Sequence, residues 1–88
     1  MRYNVGDKVR VQSLEYFKKN FKKVSWDGGS FQGPDNTFTS EMQELCGKIV
    51  TIKKICKKIY YNIENGGFNW HDWMFVPPIE EMMELLEE

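Results

Sequence analysis

Apolar and polar residues alternate near the start of the chain. In Lys8-Val9-Arg10-Val11 the valines fall on one face and the cations on the other. That period of two, behind the Gly6-Asp7 turn, predicts a half-buried β-strand. The period then lengthens. Leu14, Phe17, Phe21 and Val24 recur at helical spacing behind Ser13, whose hydroxyl suits an N-cap. The outer side of this short helix would carry Lys18, Lys19, Lys22 and Lys23. From Trp26 to Thr37 the chain turns to Gly, Asp, Asn, Ser and Pro, which is loop chemistry. Ser40-Glu41-Met42-Gln43 fits a capping box; the turn of helix it opens has Met42, Leu45 and Cys46 as its apolar side and stops at Gly47.

After Gly47 the pattern returns to β. Residues 48–55 are rich in β-branched side chains and predict a strand, Lys57-Lys58 a reversal, and residues 59–64 the next strand with Tyr61 and Ile63 inward. Asn65-Gly66-Gly67 predicts a tight hairpin turn, because a primed turn requires positive φ at both central residues. Phe68-Asn69-Trp70 is then the returning strand, His71 to Met74 a single turn, and Phe75-Val76-Pro77 a short strand ended by prolines. Ile79, Met82, Met83 and Leu86 follow helical spacing once more. The expected fold is mainly β: about five short antiparallel strands, a long helix-bearing loop after strand 1, and a short C-terminal helix. Such a set fits a small SH3-like barrel over residues 1–78 with an acidic helix over 79–88, since closing the sheet removes its exposed edges. Val9, Val11, Val50, Ile52, Tyr61, Ile63 and Trp70 are expected to point inward.

Composition narrows the class. A chain of 88 residues is one domain, and 41% apolar with 15% aromatic content is too much for a disordered one. It contains no apolar run long enough to span a membrane, and it starts without a signal-like stretch, so a cytoplasmic protein is expected. Cys46 and Cys56 then read as small buried thiols. The net charge of −1 hides an asymmetry. Five of the thirteen acids lie in residues 79–88, leaving twelve bases and eight acids in residues 1–78. A basic body attracts nucleic acid and an acidic tail can cover it; the plainer reading is two solvated faces.

Catalytic chemistry finds little to work with. His71 is the single histidine, and beside Asp72 it offers a base and an orienter for a cysteine nucleophile, but chain neighbours seldom face each other. A zinc site from Cys46, Cys56 and His71 lacks the close ligand pairs such sites use. Asp27-Gly28-Gly29-Ser30 lacks the lysine and helix of a phosphate loop. The expectation is a non-enzymatic module without metal or cofactor.

Two binding readings remain. The chain has thirteen aromatic residues, more than a small barrel needs, so Trp26, Phe31, Tyr60 and Trp73 form a candidate surface for a protein partner. The alternative is that they pin the long loop to the barrel as a second small core. Lys53, Lys54, Lys57 and Lys58 surround one hairpin and are candidate nucleic-acid contacts, with Tyr60 as a base-stacking neighbour. Against that, lysine pairs at hairpin edges also guard against aggregation.

The set Gly6-Asp7-Lys8-Val9-Arg10-Val11, Glu41-Met42, Gly47-Lys48-Ile49-Val50-Thr51-Ile52 and Trp70-His71-Asp72-Trp73-Met74-Phe75 occurs in this order. It resembles a family of small single-domain proteins of bacteriophages and gut bacteria, similar to the SH3-like repeat of Mind bomb and HERC-type ubiquitin ligases. The resemblance spans roughly residues 3–77 and implies an SH3-like barrel. By analogy with the ligases it implies protein–protein interaction. It further implies a phage or mobile-element product that could inhibit a host or defence protein. The Ala-Leu-Tyr-Asp-Tyr run of signalling SH3 domains is missing, so proline-rich ligands are not implied.

Overall fold

The opening alternation becomes a strand because Val9 lies opposite Val50 in an antiparallel pair and both side chains are buried. The computed structural model describes residues 2–24 and 29–77. In chain order the elements are strand β1 (Lys8–Arg10), helix α1 (Leu14–Asn20), and strands β2 (Lys22–Lys23), β3 (Phe31–Gln32) and β4 (Thr37–Phe38). A 3-10 turn over Ser40–Leu45, strands β5 (Ile49–Cys56) and β6 (Tyr60–Ile63), and a 3-10 turn over Asp72–Met74 follow. They make two antiparallel three-stranded sheets, one ordered β1-β5-β6 and the other β2-β3-β4.

The larger sheet follows the expected register. Lys8 faces Thr51, Arg10 faces Ile49, and Ile52 faces Ile63. All seven residues expected inward are buried. The returning strands are shorter than expected. Residues 70 and 75 each make an isolated bridge, Trp70 with Tyr61 and Phe75 with Val11. The 3-10 turn between them interrupts any continuous ladder, and the bonds at its two ends go to opposite edges of the sheet. Trp70 exchanges two backbone hydrogen bonds with Tyr61, at 2.7 and 2.9 Å, while the Val76 amide donates to the Arg10 carbonyl at 2.8 Å.

The long connection departs most from expectation. Ser13 does cap α1, its hydroxyl accepting from the Tyr16 amide at 3.2 Å. The helix stops at Asn20, however, because Phe21 is extended and Lys22 and Lys23 pair with Gln32 and Phe31. Part of the region expected to be loop is therefore sheet. A turn closed by the Gly33 amide on the Asn36 carbonyl, at 2.9 Å, folds β4 back on β3. The second helical turn is capped at Thr39 rather than Ser40, with the Thr39 amide donating to the Met42 sulfur at 3.3 Å. Gly47 ends it at φ +77°, as a residue without a Cβ allows. Trp26 and the expected C-terminal helix over 79–88 lie outside the described residues.

One aromatic core serves both sheets. Phe17 stacks on Phe38 with ring centroids 3.9 Å apart, Phe38 meets Trp70 edge-on at 6.1 Å, and Trp70 stacks on Phe75 at 5.8 Å. A tyrosine network closes the other end. The Tyr61 hydroxyl donates to Asp72 Oδ1 at 2.5 Å and accepts from the Tyr3 amide at 3.1 Å, while the Tyr3 hydroxyl donates to the Val76 carbonyl at 3.2 Å. Each bond joins residues distant in sequence, so the network ties the N-terminal segment to β6 and to the last described residues.

Burial first, then the hydrogen bond and charge of Asp72, push the Tyr61 hydroxyl up to about 12. Tyrosine in an unfolded chain titrates near 10. The folded protein thus holds this proton more tightly, and stability that is fully present below pH about 10 falls as pH rises toward about 12. Tyr61→Phe should abolish that alkaline fall. It should also cost about 1–3 kcal/mol at neutral pH, by leaving the Tyr3 amide and the Asp72 carboxylate without their partner. Urea melts of both proteins at pH 7, 10 and 11 measure the two effects.

Candidate nucleic-acid interface

Strands β5 and β6 and their connecting turn carry four exposed lysines, and an irregularity in the pairing shapes this surface. Ile52 pairs with Ile63 and Lys54 pairs with Asn62, so Lys53 is an extra residue on β5. This is a β-bulge, two residues opposing one. Without it, alternation would send Lys54 inward after Ile52. With it, Lys53 and Lys54 are both exposed and Ile55 turns back toward the core. The alternating face then continues outward through Cys56 and, across the ladder, Tyr60 and Asn62. The Cys56 thiol donates to Asn62 Oδ1 at 3.1 Å, and the Asn62 amide reaches the Phe68 carbonyl at 3.5 Å.

The hairpin tip adds two more cations. Lys57 and Lys58 adopt φ of 53° and 58°, and the Ile59 amide closes the turn on the Cys56 carbonyl at 2.9 Å. This is the primed geometry expected at Asn65-Gly66-Gly67. There, Asn65 alone is left-handed, at φ 61°. The reason is length. Tyr61 pairs with Trp70, so the connection beyond β6 is a wide loop and not a two-residue turn. Ile59, beside the two lysines, is 58% exposed. Among the described residues, none of Lys53, Lys54, Lys57 and Lys58 is ion-paired. All four are exposed. Between the bulge and the wide loop lies a groove of about 500 Å³ lined by Lys53, Lys54, Asn62, Ile63, Gly66 and Gly67.

Among the described residues, the aromatic candidates Phe31, Tyr60 and Trp73 occupy three different settings. Phe31 is 1% exposed and packs on Phe17 in the core, which corrects its reading as a partner contact. Trp73 is half-buried and held from three sides. Its ring lies 4.9 Å from that of Phe21, a Cβ at Gly33 would overlap it, and its Nε1–H donates to Asp35 Oδ1 at 3.1 Å. Tyr60 is half-buried on the lysine hairpin, 6.3 Å from the His71 ring. Phe31 and Trp73 thus pin the long connection to the larger sheet.

The side chains weighed for catalysis diverge. His71 is buried and its Nδ1 lies 3.4 Å from Asp35 Oδ1, whereas Asp72 faces Tyr61. Both cysteines are free, and burial pushes the Cys46 thiol up, away from the thiolate a nucleophile requires. Among the described residues no three His, Cys, Asp or Glu side chains converge as metal ligands, and no helix is long and apolar enough to cross a membrane. Comparison with protein-family models, with curated proteins and with solved structures finds no match.

The lysines in the tip turn occupy positions that favour Asn and Gly, because a Cβ is crowded at positive φ. Lys57→Asn combined with Lys58→Gly should therefore raise stability by about 1 kcal/mol, seen as a higher melting temperature. An unchanged or lower melting temperature would mean that the turn is not under strain.

Proposed function

We propose that the chain is a non-enzymatic binding module, a small SH3-like barrel that holds the phosphate backbone of a nucleic acid on its β5–β6 hairpin. The barrel reading is supported by the segment from Trp70 to Val76. It bonds to β6 at one end and to β1 at the other, the two edges a closed sheet must join. Binding is supported chiefly by the bulge, which exposes both Lys53 and Lys54 on the hairpin whose tip carries Lys57 and Lys58. Lysine ammonium groups with no carboxylate partner are the ordinary means of neutralising phosphates. A lysine at a strand edge guards against aggregation equally well from regular pairing. A bulge also twists an edge away from pairing, and here it does more: it turns a second, consecutive lysine outward and so doubles the charge facing a ligand.

The module should bind nucleic acid with an affinity that falls steeply with salt. Four phosphate contacts give a slope of log affinity against log salt of about −3. Replacing Lys53, Lys54, Lys57 and Lys58 by Ala should flatten that slope and abolish retention on heparin at moderate salt. A four-alanine protein that binds like the parent, in a salt titration followed by fluorescence anisotropy, would overturn the assignment.

A further inference from the structure

We infer that the groove between the β5 bulge and the Gly66–Gly67 loop is a subsite for one unpaired nucleotide, so that the module prefers single-stranded to duplex nucleic acid. This rests on the lysine-hairpin reading above and specifies its ligand. A convex row of lysines would meet any phosphate chain alike, duplex or single. Here Lys53 and Lys54 instead line a concavity of about 500 Å³, within the range of roughly 300–1,000 Å³ in which small ligands are held. Its other lining residues differ in chemistry. The Asn62 side chain supplies an amide with both donor and acceptor, able to meet a base edge. Asn62 is held in place by the Cys56 thiol on one side and the Phe68 carbonyl on the other. Gly66 and Gly67 bring backbone close without side chains, over the buried Ile63.

Cations, an oriented amide and bare peptide backbone lining one groove suit a phosphate with its base attached. A base inside a duplex already has its pairing edge occupied and both faces stacked, so it cannot enter a concavity of this kind. Tyr60 extends the site. It lies two residues from Asn62 on the same face of β6, about 7 Å along the strand. There its ring is placed to stack the neighbouring base, and stacking on an aromatic ring tolerates any base sequence.

The test uses the full chain and two fluorescein-labelled probes, a twelve-residue oligothymidine strand and a duplex of the same length, in anisotropy titrations at one salt concentration. The wild type should bind the single strand at least tenfold more tightly. Gly67→Leu adds bulk to the groove wall at a position where a Cβ meets no atom within 4 Å and the backbone is not left-handed, so the fold should tolerate it. It should lower single-strand affinity at least tenfold. Tyr60→Ala, outside the groove, should lower it about tenfold through lost stacking. Melting curves show whether each variant is folded, and either folded variant binding within twofold of wild type overturns the subsite. Retention of the wild type on heparin, measured in parallel, separates the two levels of the argument. Salt-sensitive retention with equal affinity for both probes overturns the subsite and leaves the lysine hairpin standing. No retention and no binding overturn both.

Discussion

Phe38 carries the fold's central constraint. It belongs to the smaller sheet, yet it stacks on Phe17 of α1 and meets Trp70 of the larger sheet. Strands of two residues have no stability of their own, since a small sheet needs a packed face to persist. The sheet formed by β2, β3 and β4 therefore exists only as a lid whose inner residues, Phe31 and Phe38, complete a core begun by Val11, Tyr61, Trp70 and Phe75. Whatever else the long connection does, it cannot leave that core without exposing Trp70 and Phe17 together.

The same constraint decides the fate of the aromatics. A chain this short has one core to fill, and filling it from two sides consumes rings that looked surplus when only one sheet was expected. Phe31 is interior and Trp73 is a clamp, tied to Asp35 and closed over Gly33. The basic hairpin stands apart because it projects beyond this packing. β5 is eight residues long while β1 spans three, so its distal half has β6 on one side and only the N-terminal segment on the other. That overhang, more than composition, makes the hairpin the available face.

Much of the larger sheet was legible from the chain alone. Val9, Val11, Val50, Ile52, Tyr61, Ile63 and Trp70 declare their side through alternation, and Ser13 and Gly47 act as local stereochemistry requires. The smaller sheet was not legible, because pairs such as Lys22-Lys23 and Thr37-Phe38 are too short to show a period. The turns were exchanged for a related reason. Glycine at 66 and 67 is a strong local signal, but the pairing of Tyr61 with Trp70 is non-local and overrides it. Among site residues, the four lysines were visible while the groove was not, since its wall depends on that same distant pairing. The bulge did leave a trace. In Ile52-Lys53-Lys54-Ile55 two consecutive polar residues break a period of two, and an extra residue is what lets both isoleucines face inward.

That extra residue has an evolutionary corollary. Because Lys53 is unpaired in the ladder, the orientation of everything beyond it is set by a count of residues rather than by their identity. Loss of a single codon there would restore regular pairing without touching a core contact before Ile52, and would merge the paired cations into one. The basic face is thus a property that insertion or deletion can switch in one step, while point substitution can only erode it gradually. Close relatives of this chain with different tasks would be expected to differ in the length of β5 before they differ in its charge.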